Sequence, residues 1–174
     1  YTFEAFREAV IATSVVPSDV YRKSCKNAAD LIQLYPSAID LLKGLHSGSG
    51  FPMIVTCGSS TIWRELLDKR GCKEIPVFGG SHADVDAFLI GKNEKGILAN
   101  FFKVNGHAVI AIGDSEVDEL MLQQSDIAVM AHNHKHNRDL LPGLVGDINV
   151  RQWSQTGESN PISNFESISV EQII

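Results

Sequence analysis

The stretch VIAIGDSEVDELML, Val109 to Leu122, decides how the rest of the chain is read. Four apolar residues, Val109 to Ile112, run without a polar break into Gly113 and Asp114, and Glu116, Asp118 and Glu119 follow. An unbroken apolar run is the pattern of a strand covered on both faces, as in a parallel sheet. The carboxylates then fall where that strand opens to solvent and a helix begins. Asp114 and Asp118, held on rigid elements, suit a hard divalent cation. Mg²⁺ takes oxygen ligands and usually one or two protein carboxylates, completed by water and phosphate. Gly113 allows close backbone approach. Glu116 and Glu119 read as solvated helix residues.

Outward from this stretch, strands and helices alternate from about residue 36 to 131. Helical spacing predicts helices in YTFEAFREAVIA and SDVYRKSCKNAADLIQLY, the second with Ser18 as N-cap. YPSAIDLLKGLHSGSG is a third helix, opened by Pro36 and stopped by a Gly/Ser cluster. FPMIVTCGSS and IPVFGG are strands, separated by the helix STIWRELLDKRGC with Ser59 or Ser60 as cap. SHADVDAFLIGKN reads as a strand or hairpin region. NEKGILANFFKVNG and SEVDELMLQQS are helices, and HAVIAIGD and DIAVMA are strands. The predicted fold is α/β, a doubly wound parallel sheet, with 1–35 as a small helical cap segment, 36–145 as the core and 146–174 as a tail or linker. The tail reads as a final strand and helix or as a link to a further domain.

Ligands of open α/β sheets bind at the carboxyl ends of the strands. One such end carries Thr56, Cys57, Gly58, Ser59 and Ser60, where a hydroxyl and a helix N-terminus can both donate to phosphate. Another carries Asp114 and Asp118. Lys95, near the start of its helix, can set a cation against the same chemistry. Taken singly, Thr56 and Ser59 also suit caps, Asp118 suits a helix first turn, and Lys95 suits a solvated surface.

The ordered set resembles the haloacid dehalogenase (HAD) superfamily, and most nearly its phosphoserine-phosphatase-like branch. MIVT with Thr56 matches the family's second motif, NEKGILANFFK with Lys95 the third, and VIAIGDSEVD with Asp114 and Asp118 the fourth. The resemblance covers about 34–131 and implies a HAD-like Rossmannoid core. It implies Mg²⁺-dependent phosphomonoester hydrolysis through an aspartyl-phosphate, in which an Asp attacks phosphorus. In that scheme Asp114 holds Mg²⁺ and Asp118 ligates it or supports the ligands. Thr56 orients the phosphoryl group, Cys57 and Gly58 line the phosphate, and Lys95 neutralises charge between nucleophile and phosphate. Such catalysis is mostly positioning and electrostatics.

The family's first motif, an apolar strand followed by DxDG(T/V), is absent. The aspartates upstream of Thr56 are Asp19, Asp30 and Asp40, and none precedes xDG. The DxD at Asp84 and Asp86 lies between the second and third motifs, with Ala87 where Gly belongs, and reads as an edge segment. Two explanations stand. The chain is a piece of a longer protein whose nucleophile lies upstream of Tyr1, or it is a degenerate relative that binds without catalysing. The strand that carries the first motif is central in the family's sheet, so its loss leaves unpaired backbone on both neighbours.

The net charge of −6 argues against nucleic acid and anionic membranes as partners. The expected partner is a small phosphorylated substrate, with an additional domain expected beyond either terminus. Cys25, Cys57 and Cys72 form neither a CxxC nor an even set, which suits free thiols and a cytoplasmic setting. His132, His134 and His136 alternate, but in a polar stretch that reads as a solvated loop. No GxGxxG or GxxxxGK[ST] stretch supports a nucleotide-binding domain.

Overall fold

A computed structural model describes residues 2–82, 89–131 and 150–153. Asp84, Asp86, His132, His134 and His136, and most of the tail, lie outside the described residues. The chain divides into two compact units with their boundary between Gly91 and Lys92.

The first unit opens with α1 (Phe3–Ser14), α2 (Ser18–Leu31) and α3 (Pro36–Ser47). Thr2 caps α1, its Oγ1 accepting from Ala5 N at 3.2 Å. Pro36 opens α3, where its missing N–H would have had no helical partner. Strand β1 (Ile54–Ser59), helix α4 (Ser60–Lys69) and strand β2 (Val77–Gly80) complete the unit. β1 and β2 are parallel, with Ile54 beside Val77 and Val55 beside Phe78, and the helix between them supplies the crossover that parallel strands need. Helix α2 packs on α4. Cys25 and Ala29 are buried on its inner face, and Lys69 of α4 pairs with Asp30. Leu67, Cys72, Ile75 and Val77 form the core, against Ile39, Leu42, Ile54 and Trp63.

The second unit contains α5 (Lys92–Val104), β3 (Ile110–Gly113), a 3₁₀ turn (Glu116–Asp118), α6 (Glu119–Gln124), β4 (Ile127–Ala131) and β5 (Val150–Trp153). All pairings are parallel, in the order β3-β4-β5, with Ile110 beside Ile127 and Ala128 beside Val150. The fold class is therefore α/β with parallel sheets, as the sequence predicts. β5 shows that the tail contributes a strand.

The expectation of strands covered on both faces holds best for β4, where Ala128, Val129 and Met130 are 0%, 0% and 1% exposed. It holds less well for β3, whose Ile110 is exposed, and for β1, whose residues are half-buried apart from an exposed Gly58. Among the described residues β1 and β3 each pair with one strand only. β1 carries Thr56 within it, and Asp114 follows directly on β3.

Asp126 ties the start of β3 to its neighbours. Its Oδ2 accepts from Val109 N at 2.9 Å, and its Oδ1 lies 3.1 Å from Lys103 Nζ. The Val109 hydrogen bond, with the Lys103 ammonium second, holds the Asp126 carboxyl below the usual carboxylate range. A depressed carboxyl stabilises the fold above its unfolded value, near 3.9, and loses that contribution as pH falls through the lower folded value. Thermal unfolding of wild type and Asp126→Asn should therefore differ at pH 6 and converge as pH drops below about 4. A gap that widens on acidification would contradict this.

Among the described residues no helix is long and apolar enough to cross a membrane. Cys25, Cys57 and Cys72 form no disulfide.

Candidate functional site

In the second unit, β3 ends on Gly113 and the chain turns at once into Asp114 and Ser115. A Cβ on Gly113 would lie 2.5 Å from the Asp118 Cβ and 2.8 Å from its Cγ, so only glycine lets the Asp118 side chain fold back across the strand end. Asp118 Oδ2 accepts from Asp114 N at 3.1 Å, Ser115 N at 3.1 Å and Ser115 Oγ at 2.8 Å. Ser115 and Asp118 form a reciprocal capping box, which explains why a short 3₁₀ turn precedes α6. The other oxygen, Oδ1, accepts from Lys95 Nζ at 2.6 Å. Lys95 and Asp118 are each 5% exposed. A buried ammonium and a buried carboxylate are tolerable only when paired, and here each neutralises the other.

The structure thus brings Lys95, Asp114 and Asp118 together. Lys95 is buried, where its charge taken alone suits a solvated surface. Asp118 spends both carboxylate oxygens on protein donors. The Asp114 carboxylate is exposed and has no protein partner among the described residues. Glu116 is exposed, as expected of a solvated helix residue. Glu119 is not simply solvated: it pairs with Lys92 and accepts from Gln123 Nε2 at 3.2 Å. Two acid–base rungs, Lys95–Asp118 and Lys92–Glu119, therefore fasten the first turn of α5 to the start of α6.

In the first unit, Thr56, Cys57 and Gly58 lie within β1, which runs on to Ser59. Thr56 Oγ1 accepts from Gly58 N at 3.1 Å, a short side-chain turn of the kind Thr favours. The Gly58 N–H is therefore committed to Thr56, while the Thr56 hydroxyl keeps its own proton to donate. The Thr56 methyl sits over Gly79 of β2, where a Cβ would come within 2.5 Å of it. Neither cap candidate of α4 caps it through its side chain. Ser60 Oγ donates to Gly80 O at 3.0 Å, and Ser59 Oγ shares a 2.6 Å hydrogen bond with Tyr21 Oη. Ser18, the cap expected for α2, is its first helical residue, and Pro17 stands at the cap.

Sequence reasoning missed Ser115 and Tyr21. The S-x-x-D spacing of Ser115 and Asp118 resembles a capping box and could have exposed the first. Tyr21 meets Ser59 from 38 residues away, and no local pattern signals such a contact.

Among the described residues no cluster of three or more His, Cys, Asp or Glu side chains forms a metal centre. The donor set nevertheless suits a hard cation at one point. Asp114 offers a solvent-facing carboxylate on a backbone pinned by Asp118.

Each unit is α/β with parallel strands, and in the second a pair of aspartates follows the end of β3. A family model for haloacid dehalogenase-like hydrolases matches residues 2–126, and the chain belongs to that family. Comparison with curated proteins and with solved structures gave no match.

Proposed function

We propose that this chain carries the metal- and phosphate-handling residues of a Mg²⁺-dependent phosphomonoester hydrolase of the phosphoserine-phosphatase-like branch. Its substrate is a small phosphorylated molecule and its setting cytoplasmic. The observation that carries the reading is the exposed Asp114 carboxylate, set on a turn that buried Asp118 and Lys95 hold rigid. Asp114 is the direct ligand. Asp118, with every oxygen occupied, supports Asp114 rather than binding metal itself. Mg²⁺, when bound, supplies charge neutralisation at the transferring phosphoryl group. Thr56 donates its hydroxyl proton to a phosphate oxygen. Lys95 keeps the charge of Asp118 balanced, so that the metal ligand beside it stays in place. Helices α1 and α2 are proposed as the remnant of a substrate-selecting cap.

Transfer through an aspartyl-phosphate also needs a nucleophilic carboxylate at a strand end. Asp19 and Asp30 lie in α2 and Asp40 in α3, and Asp30 is paired with Lys69. The nucleophile is therefore proposed to come from polypeptide outside these 174 residues, and the chain alone to be inactive. The same placement of Asp19, Asp30 and Asp40 favours a second reading, a catalytically degenerate HAD-fold module that binds or regulates. The coding sequence upstream separates the two. An apolar strand followed by DxDG supports the phosphatase, and its absence supports the binding module.

The metal reading is tested by titrating the chain with Mg²⁺ and following backbone amides by NMR. The amides of Gly113, Asp114 and Ser115 should shift in the wild type and stay still in Asp114→Asn. Equal shifts in both proteins would remove Asp114 as the ligand. With an aryl phosphate and Mg²⁺ the chain should show no turnover above background. Measurable Mg²⁺-dependent turnover would place a nucleophile within it.

A further inference from the structure

Ser59 stands immediately before α4, where a serine side chain ordinarily accepts from the N–H two or three residues on. It makes no such bond. Its hydroxyl is instead drawn to α2, at 2.6 Å from Tyr21 Oη and 3.9 Å from Cys25 Sγ. Tyr21 is itself held from behind. Its ring stacks on His82 at 4.3 Å between centroids and 25° between planes, and His82 Nε2 donates to Val16 O at 2.7 Å. The arrangement is a chain of contacts from the α1–α2 connection, through His82 and Tyr21, to the residue that closes β1.

From this geometry we infer that Tyr21 is a positioning residue for Thr56: by holding the Ser59 hydroxyl off α4, it fixes the short turn from Thr56 to Ser59. Gly58 N donates to Thr56 Oγ1 at 3.1 Å across that turn, and Ser59, the residue after Gly58, ends β1. β1 is already irregular between Val55 and Ser59, where its register with β2 shifts, so the ladder alone does not set the shape. The contact at Ser59 supplies the missing constraint. Burial, the largest influence, raises the Tyr21 phenol above its ordinary value, so the hydroxyl keeps its proton at neutral pH. The inference rests on the reading of Thr56 as a phosphate-orienting residue.

The test uses the whole chain, with inorganic phosphate as probe and Tyr21→Phe, Ser59→Ala and the double variant as proteins. Loss of one neutral hydrogen bond is worth between about twofold and tenfold in affinity. Tyr21→Phe and Ser59→Ala should each weaken phosphate by that factor, and the double variant should be no weaker than either. Additive losses in the double variant, or unchanged affinity in Tyr21→Phe, would overturn the inference. Amide exchange gives a second reading that needs no ligand. In Tyr21→Phe the released Ser59 hydroxyl should cap α4 and slow exchange at Thr61 or Ile62, and adding Ser59→Ala should abolish the slowing. If the wild type binds no phosphate, the phosphate reading of Thr56 fails. The exchange at Thr61 and Ile62 then decides Tyr21 alone: slowing supports the latch, and no change refutes it.

Discussion

Replacing Lys95 by methionine should destabilise the second unit by about 3–5 kcal/mol, the usual cost of breaking a buried ion pair from one side. Both side chains are 7% exposed, so solvent screens neither charge effectively. Removing Asp118 should cost more than removing Lys95, although the pair is shared. Without Lys95, the Asp118 carboxylate still accepts from Asp114 N, Ser115 N and Ser115 Oγ. Without Asp118, the Lys95 ammonium loses the carboxylate that neutralises it, and the 3₁₀ turn loses its cap, which alone is worth about 1 kcal/mol. Asp118→Ala should therefore exceed Lys95→Met in urea unfolding followed by a probe within residues 92–131. The double variant Lys95→Met with Asp118→Leu removes both charges and should recover part of the loss, leaving mainly the cost of the cap. A Lys95→Met loss below about 1 kcal/mol would mean the pair behaves like a solvated surface contact.

These residues also show what a sequence can reveal of such a site. The end of β3 at Gly113, with Asp114 just beyond it, was legible because strand ends announce themselves locally. An apolar run stops, and a small or acidic residue follows. The helices were legible for the same reason, since their periodicity and their Gly, Pro and Ser punctuation lie within one window. What escaped was set by contacts across the chain. Ser59 looks like a cap, and only a tyrosine on α2 makes it something else. Glu119 looks solvated on its own helix until Lys92 arrives from the helix before β3. The division at Gly91 and Lys92 reflects which helices pack on which strands, and no change of composition or period marks it. Asp118 has two readings from its spacing, ligand or support, and the donors that converge on its oxygens are not something spacing counts.

Gly113→Ala is the substitution that probes this convergence without touching a charge. The added methyl would stand 2.5 Å from Asp118 Cβ, 2.8 Å from Cγ and 3.1 Å from Oδ2. No rotamer of alanine avoids this, because Cβ is fixed by the backbone. Asp118 cannot yield cheaply either, since its two oxygens are held from Lys95 on one side and from Asp114 and Ser115 on the other. Moving away lengthens all of those bonds together. Overpacking of a filled site costs about 1–3 kcal/mol, and here the weakened ion pair and cap add to it, so the loss should reach or pass the top of that range. By contrast, Gly106→Ala at the end of α5 meets no atom within 4 Å, and its cost is that of a non-glycine residue at φ 84 alone. Comparing the two separates crowding at Asp118 from general intolerance of glycine replacement. Adding Asp118→Gly to Gly113→Ala should cost less than the sum of the single changes, because Asp118 Cβ, the atom the methyl meets first, is then gone together with the carboxylate. Strict additivity in that cycle would show that Gly113 is required for some reason other than Asp118.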